Sequence, residues 1–249
     1  MRVLSIGNSF SQDAHRWLFD IADAVGEDLT CANLYIGGCS LQRHWDNLQQ
    51  DAVAYAYEEN GRDTGRKTSI RRVLQEGGWD VVTLQQVSHE SGLYETYQPY
   101  LSDLADYVRR AAPGAGLWLH QTWAYDAAST HPGFAKYGND QKTMYTALCN
   151  AYEKAGRAIG ASIIPSGDVI QVLRTQEPFD TDMGGISLCR DGFHMSRTYG
   201  RYAVACAWVM ALTGASLEFC DFLPEEEGEL PVDPDLLALI RETVESLLG

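Results

Sequence analysis

Short apolar runs alternate with longer amphipathic segments along most of the chain. The apolar runs lie at residues 3–6, 29–36, 79–85, 117–121 and 162–164, and each is followed by a segment with apolar residues at helical spacing. Strands that alternate with helices favour a parallel sheet with helices on both faces. The sequence therefore predicts an α/β fold, a three-layer α/β/α sandwich built from five strand–helix units.

The remaining segments add helices and one hairpin to this pattern. Alternating small and large residues over 52–57, followed by Asn60-Gly61, predict a short hairpin arm. Further helices are expected over 13–25, 41–51, 70–75, 95–111, 140–159, from about 167, over 196–213 and over 234–248. No linker or internal repeat is visible, so residues 1–249 are predicted to form a single domain, with 215–249 as an acidic loop plus a C-terminal helix.

Charge and composition exclude several classes of function. The net charge of −15 argues against a nucleic-acid surface or an anionic membrane as partner. The cluster Glu225-Glu226-Glu227 is interpreted as part of a solvated loop. No apolar span is long enough to cross a bilayer, and the chain starts in a strand without a signal-peptide pattern, so a cytoplasmic protein is expected.

Metal and cofactor signatures are likewise missing from the sequence. The six cysteines form no C-x-x-C pair, and the histidines form no H-E-x-x-H or H-x-H pattern. We therefore predict no metal site and no cofactor.

Ser9 is the first candidate for chemistry. It follows the strand that ends at Gly7, so its hydroxyl is expected at the carboxyl edge of the sheet, where α/β folds bind ligands, and near the positive end of a helix. A Ser or Asn at this place is also typical of a helix cap, and this is the favoured interpretation for the stretch in isolation. Ser11 stands where a G-x-S-x-G elbow has its last glycine, which argues against an ordinary α/β-hydrolase.

Asp191 and His194 favour a catalytic role for Ser9 over a role as a helix cap. At this spacing the carboxylate can accept a hydrogen bond from the imidazole Nδ1, leaving Nε2 to face a nucleophile, as in a catalytic triad. The alternative is a surface loop that caps the helix beginning near Ser196. D-x-x-H alone is a weak signal, but together with Ser9 it gives the chain order Ser…Asp…His and favours the triad.

With these residues the sequence resembles the SGNH hydrolase superfamily, the GDSL-like esterases and acylhydrolases, and looks like a bacterial branch rather than a well-studied lipase. Gly7-Asn8-Ser9 matches the family's G-D-S block, and Asp191 with His194 matches its D-x-x-H block. The resemblance implies a flavodoxin-like, five-stranded parallel sheet. It also implies ester hydrolysis with Ser9 as nucleophile, His194 as base and Asp191 as its orienting carboxylate.

The resemblance also implies an oxyanion hole. The Ser9 N–H is one donor, and Gly38, in the glycine turn after the second strand, matches the family's second donor. The third block departs from the family pattern, because Leu84-Gln85-Gln86 lacks the usual asparagine and resembles an L-Q-x-x-S version of some carbohydrate esterases. We expect Gln86 to be the third donor, with Gln85 as the close alternative.

Aromatic and polar residues near the strand tips are candidates for substrate binding. Trp123 and Tyr125 could stack on a sugar ring, with Gln85 beside them, although packing of the 123–139 loop explains the two aromatics equally well. His44 could also line the site, whereas His131 is expected to be an ordinary surface or helix residue.

Two functions from different classes follow. The first is a serine esterase that removes a small acyl group, for instance acetyl, from a carbohydrate or other polar alcohol. Its partner would be a small-molecule acyl ester, with an acylated sugar as one candidate. The alternative is a non-catalytic or phosphate-binding flavodoxin-like module, in which residues 7–11 hold an anion at a helix N-terminus. The sequence leaves the oligomeric state open.

Overall fold

A computed structural model describes residues 1–226 and 232–249 of the chain. The strands are β1 Arg2–Gly7, β2 Thr30–Tyr35, β3 Tyr55–Glu59, β4 Arg62–Thr68, β5 Val81–Leu84, β6 Gly116–His120 and β7 Ser162–Ile164. The helices are α1 Ser9–His15, α2 Leu18–Ala24, α3 Leu41–Gln49, α4 Ile70–Glu76, α5 Tyr100–Ala111, α6 Gln141–Ile159, α7 Ser166–Leu173, α8 Tyr199–Thr213 and α9 Pro234–Leu248. Residues 227–231, which include Glu227 of the predicted acidic loop, lie outside the described residues.

The strands form one sheet in the order β4-β3-β2-β1-β5-β6-β7. Five neighbouring strands of this sheet are parallel, namely β2, β1, β5, β6 and β7. The predicted flavodoxin-like arrangement is therefore confirmed. Helices α1, α2, α7, α8 and α9 form one packed group and α3 to α6 another, and the two groups flank the sheet. The carboxyl ends of the parallel strands consequently meet at one edge.

The sheet has two strands more than the predicted five, because β3 adds antiparallel to β2 and β4 adds antiparallel to β3. The turn itself lies at Asn60 and Gly61 as predicted, and both have positive φ (47° and 72°), as a tight two-residue hairpin turn requires. A Cβ at Gly61 would also lie 2.6 Å from the carbonyl oxygen of His15. Strand β4 gave no signal in the sequence, because six of its seven residues are exposed and none is a large apolar residue.

The predicted helix over 13–25 is two helices, α1 and α2. Helix α1 begins four residues earlier than predicted, directly at Ser9, because the side chain of Asn8 caps it by accepting a hydrogen bond from the Phe10 N–H (3.0 Å). This early start places Ser9 in the first turn of a helix, at the carboxyl end of β1.

Candidate active site

The structure brings Ser9, His194 and Asp191 together. The Ser9 hydroxyl lies 2.9 Å from His194 Nε2, and His194 Nδ1 lies 2.7 Å from Asp191 Oδ2. A carboxylate can only accept, so Nδ1 carries a proton and donates it to Asp191, which leaves the Nε2 lone pair for the serine hydroxyl. This tautomer is the one in which His194 can take a proton from Ser9.

Hydrogen bonds hold the Asp191 carboxylate in its charged form. Burial alone would raise its pKa, but the His194 ring, the His194 N–H (2.8 Å) and the Phe193 N–H (3.2 Å) donate to the carboxylate and bring the pKa below its usual value. Gly192 permits this tight loop with a φ of 85°, and a Cβ there would lie only 3.0 Å from Ser129. The carboxylate is therefore ionised at neutral pH.

Asp13 ties the helix of Ser9 to the loop of His194. Its carboxylate is fully buried and accepts hydrogen bonds from the Met195 N–H (2.9 Å), from Arg190 Nη1 (2.9 Å) and from Arg201 Nε (2.8 Å). Since Asp13 and Ser9 share α1, any shift of the loop relative to Ser9 would break a buried ion pair. Such a break is costly, so the distance between Ser9 and His194 is well fixed.

A cleft of about 260 Å³ opens above Ser9 and His194. The turn after β2 contributes Tyr35, Gly37 and Gly38, and the segment after β5 contributes Val87, Ser88 and His89. His131 and Phe193 complete its mostly apolar wall. We call this space the Ser9 cleft.

Two of the predicted oxyanion donors lie at the Ser9 cleft. Ser9 is the first residue of α1, so its N–H has no acceptor within the helix. Gly38 is exposed, lines the cleft and has a φ of 61°. Its turn is tied to the serine turn by a hydrogen bond from Asn8 Nδ2 to the Cys39 carbonyl (3.0 Å).

Gln86 is not brought to the cleft, which corrects the expectation that its amide is the third donor. The side chain is fully buried, and its Nε2 donates to the Thr96 carbonyl and hydroxyl (3.1 and 2.9 Å). Its Oε1 accepts from the backbone N–H groups of Leu41 and Val87. The amide therefore joins three chain segments and has no hydrogen to spare for a substrate.

Gln85, Trp123 and Tyr125 lie beneath the cleft, not in its wall, so their predicted contact with substrate has no geometric support. Each is at most 2 % exposed. Gln85 bridges Asn8 and His120, the Trp123 indole N–H donates to the Phe193 carbonyl (2.7 Å), and the Tyr125 hydroxyl lies 2.8 Å from Ser88 Oγ. Trp123 and Tyr125 hold the loops that form the cleft, which is the packing role considered for them above.

Sequence reasoning missed several residues of the cleft wall, notably Tyr35, His89 and His131. His131 stacks on His89 with ring centroids 5.8 Å apart, whereas His44, expected near the site, is fully buried against the Tyr55 hydroxyl. Hydrophobic periodicity does not identify loop residues that fold back over a cleft. The sequence signal for a place in the cleft wall was the position of Tyr35 at the end of a strand, just before the two glycines of a turn.

In the described part of the chain, no three His, Cys, Asp or Glu side chains are grouped so as to hold a metal ion. None of the helices in the same part of the chain is both long enough and apolar enough to span a membrane.

The fold and the site place the chain among proteins with the SGNH hydrolase fold. It is similar to a protein from Slackia heliotrinireducens that is provisionally assigned as an SGNH hydrolase, with 22% identity over 86% of this chain and 99% of that one and a TM-score of 0.59. It is also similar to a catalytic mutant of an acetylxylan esterase from Geobacillus stearothermophilus, with 14% identity over 85% and 94% of the two chains and a TM-score of 0.51.

The family itself is shown by sequence. Residues 2–229 match the family described as "Domain of unknown function (DUF4886)", and the chain belongs to it. The chain is similar to a family member from Bacteroides uniformis whose crystal structure is known. The two sequences are 37% identical, the match covers 99% of this chain and 93% of that one, and the TM-score is 0.87. Among proteins with curated functions, none is significantly similar in sequence.

Proposed function

We propose that this protein is a serine esterase that removes a small acyl group, such as acetyl, from a carbohydrate or another polar alcohol. The observation that carries the proposal is the hydrogen-bonded chain Ser9–His194–Asp191 at the base of an open cleft, with distances of 2.9 and 2.7 Å. The phosphate-binding alternative gives Asp191 and His194 no role.

The geometry supports acyl transfer in two steps. Ser9 Oγ attacks the ester carbonyl while His194 Nε2 takes the hydroxyl proton, and the N–H groups of Ser9 and Gly38 stabilise the oxyanion. The intermediate collapses, the bond to the alcohol oxygen breaks, and His194 returns the proton to that oxygen. Water then repeats the sequence on the acyl-enzyme, which releases the carboxylic acid and restores Ser9.

Three observations support the proposed substrate class. The Ser9 cleft measures only about 260 Å³, which suits a short acyl group. The net charge of −15 disfavours anionic substrates. An acetylxylan esterase also shares the fold, which makes acetylated carbohydrates the first substrates to examine.

The test is labelling by a fluorophosphonate probe together with hydrolysis of p-nitrophenyl acetate. We expect wild-type protein to be labelled and active, and both signals to vanish in Ser9→Ala. His194→Ala should lower kcat by about 10²–10⁴-fold, the usual contribution of a general base, and remain folded. Ser102→Ala is the matched control and should keep both signals, because the Ser102 hydroxyl lies on α5 and donates to Gln98 Oε1 (2.7 Å), outside the Ser9 cleft.

The opposite result is equally informative. Binding of inorganic phosphate without any labelling of the wild type would favour the phosphate-binding module. Labelling that persists in Ser9→Ala would place the reactive group elsewhere.

A further inference from the structure

A second cleft adjoins the Ser9 cleft on the side of the β3–β4 hairpin. It measures about 390 Å³ and is lined by residues of the hairpin, including Ala56, Glu58 and Lys67, and by Gln12 and Tyr35. We call it the hairpin cleft. It exists because the β3–β4 hairpin extends the sheet beyond its parallel strands.

Tyr35 and Gly37 line both clefts, so the two spaces meet at these residues. The Tyr35 hydroxyl lies at this junction, only 3.3 Å from where a Cβ of Gly37 would be. Within residues 1–226 and 232–249, nothing forms a hydrogen bond with this hydroxyl. It can therefore donate to, or accept from, a ligand that spans the two clefts.

The hairpin cleft differs from the Ser9 cleft in polarity. The wall of the Ser9 cleft is mostly apolar, whereas the hairpin cleft mixes polar and apolar surface more evenly. Glu58 forms part of its floor, held by hydrogen bonds from Gln12 Nε2 and from Asn33 Nδ2 (2.8 Å). Lys67 and Asp63 are exposed at its wall.

Such a lining is suited to hydroxyl groups. Carboxylate oxygens accept hydrogen bonds from hydroxyls and an ammonium group donates to them, whereas the carboxylates of Glu58 and Asp63 would repel an anionic ligand. The negative field of the whole chain further disfavours an anion. An apolar acyl group matches the Ser9 cleft instead.

We infer that the hairpin cleft binds the alcohol part of the ester, and that this alcohol is polyhydroxylated and carries no negative charge, as in a sugar. The inference rests on the proposed esterase function and assigns its substrate class. Tyr35 is then the residue that contacts the alcohol beside the scissile bond.

The experiment blocks the hairpin cleft and compares two kinds of acetate ester. Ala56→Trp and Ala54→Trp fill the cleft from the hairpin, and Tyr35→Phe removes only the hydroxyl at the junction. Val53→Trp, on an exposed residue outside the cleft lining, is the matched control. The substrates are p-nitrophenyl acetate, which lacks a polyhydroxylated alcohol, and a panel of acetylated neutral mono- and oligosaccharides.

We expect both cleft-filling variants to lose about tenfold or more in kcat/KM on the preferred acetylated sugar, the effect of one or two lost hydrogen bonds. Their activity on p-nitrophenyl acetate should stay within about twofold of wild type, as should Val53→Trp on both substrates. Tyr35→Phe should raise KM for the sugar ester more than it lowers kcat. Circular dichroism shows whether each variant is folded, and Tyr35→Phe still tests the site if a tryptophan is not tolerated.

Two results would overturn the inference while leaving the esterase intact. One is Ser9-dependent hydrolysis of p-nitrophenyl acetate by a wild type that hydrolyses no acetylated sugar faster than ethyl acetate. The other is an equal effect of the folded cleft variants on both substrates. Absence of any Ser9-dependent hydrolysis would instead refute the proposed function, and the inference with it.

Discussion

Asn8 links the three chain segments that meet at the candidate site. Its side chain caps α1 at Phe10, accepts from Gln85 Nε2 (2.7 Å) at the end of β5, and donates to the Cys39 carbonyl (3.0 Å) in the turn after β2. An aspartate, which stands here in the G-D-S block of the resembled superfamily, has no N–H to donate to that carbonyl. The amide thus fixes the Gly38 turn relative to Ser9.

Gln86 offers the clearest test of a residue whose expected and observed roles differ. Gln86→Ala leaves the buried N–H groups of Leu41 and Val87 without their acceptor, so we expect the free energy of unfolding to fall by about 1–3 kcal/mol. Urea unfolding measures this loss. Thr96→Val leaves both buried N–H groups with their acceptor and removes only the Thr96 hydroxyl, with its bonds to Gln86 Nε2 and to the Leu93 carbonyl (2.7 Å), so it should cost less.

The kinetics of the same variant separate the two roles. Folded Gln86→Ala should keep kcat on p-nitrophenyl acetate within a few-fold of wild type. A fall of about 10²-fold or more in kcat with unchanged stability would restore the oxyanion role.

At the scale of elements, the loop that carries Asp191 and His194 is positioned by its neighbours on both sides. Asp13 of α1 accepts from the Met195 N–H, and the segment after β6 supplies the Trp123 indole N–H to the Phe193 carbonyl and the Asp126 N–H to the Gly192 carbonyl (2.8 Å). Within the loop, Cys189 and Met195 form an isolated β-bridge and the Arg190 N–H donates to the His194 carbonyl (2.9 Å), so the hydrogen bonds from the neighbouring segments fix an already closed loop against the rest of the site.

Trp123→Phe tests this support. The ring should retain its packing on Phe10, with which it stacks at a centroid distance of 4.1 Å, but lose the hydrogen bond to Phe193. We expect kcat on p-nitrophenyl acetate to fall, by as much as about 10²-fold if the imidazole shifts by about 1 Å, with a smaller change in KM. Trp118→Phe, a half-buried tryptophan within β6, is the control and should leave kcat unchanged. Equal kcat values in the two variants would show that the loop holds its position without Trp123.

At the scale of the whole molecule, three histidines are buried and neutral. Burial lowers the pKa of His15, of His44 and of His120 from 6.5 to about 3 in each case. In the unfolded chain these groups return to the higher value, so between about pH 6.5 and pH 3 the unfolded state binds more protons. The stability they contribute is thus complete above the unfolded pKa and is lost as the pH falls.

We expect the free energy of unfolding to decrease below about pH 6.5 by up to about 1.4 kcal/mol per pH unit for each of these histidines. Urea unfolding near pH 7.5 and near pH 5.5 measures the change while carboxylates stay ionised. In His44→Gln the decrease between the two pH values should be smaller than in wild type, because one titrating group is gone. The same decrease in both proteins would mean that His44 is protonated in the folded state.

The sequence allowed the parallel sheet and its edge to be predicted, because they depend on local patterns, an apolar run followed by a glycine turn. The grouping of Ser9 with Asp191 and His194 joins distant segments, and it was expected from the chain order and from the resemblance to a known superfamily. The hairpin strand β4 and the aromatic residues around the site were not predictable in the same way. Arg62–Thr68 is held by pairing with β3, not by burial, and Trp123 looks from its sequence position as much like a ligand contact as like a core residue. These outcomes depend on contacts between distant segments, which a one-dimensional pattern does not record.

The pairing of Ser9 with His194 across a separation of 185 positions also bears on how the protein matures. A ribosome must have made most of the chain before the two groups can meet, and Asp13 can secure the pair only when Arg190, Met195 and Arg201 have been added. Under the proposed function, turnover of an ester requires a completely folded chain, and regain of activity after dilution from denaturant should follow the slowest step of assembly.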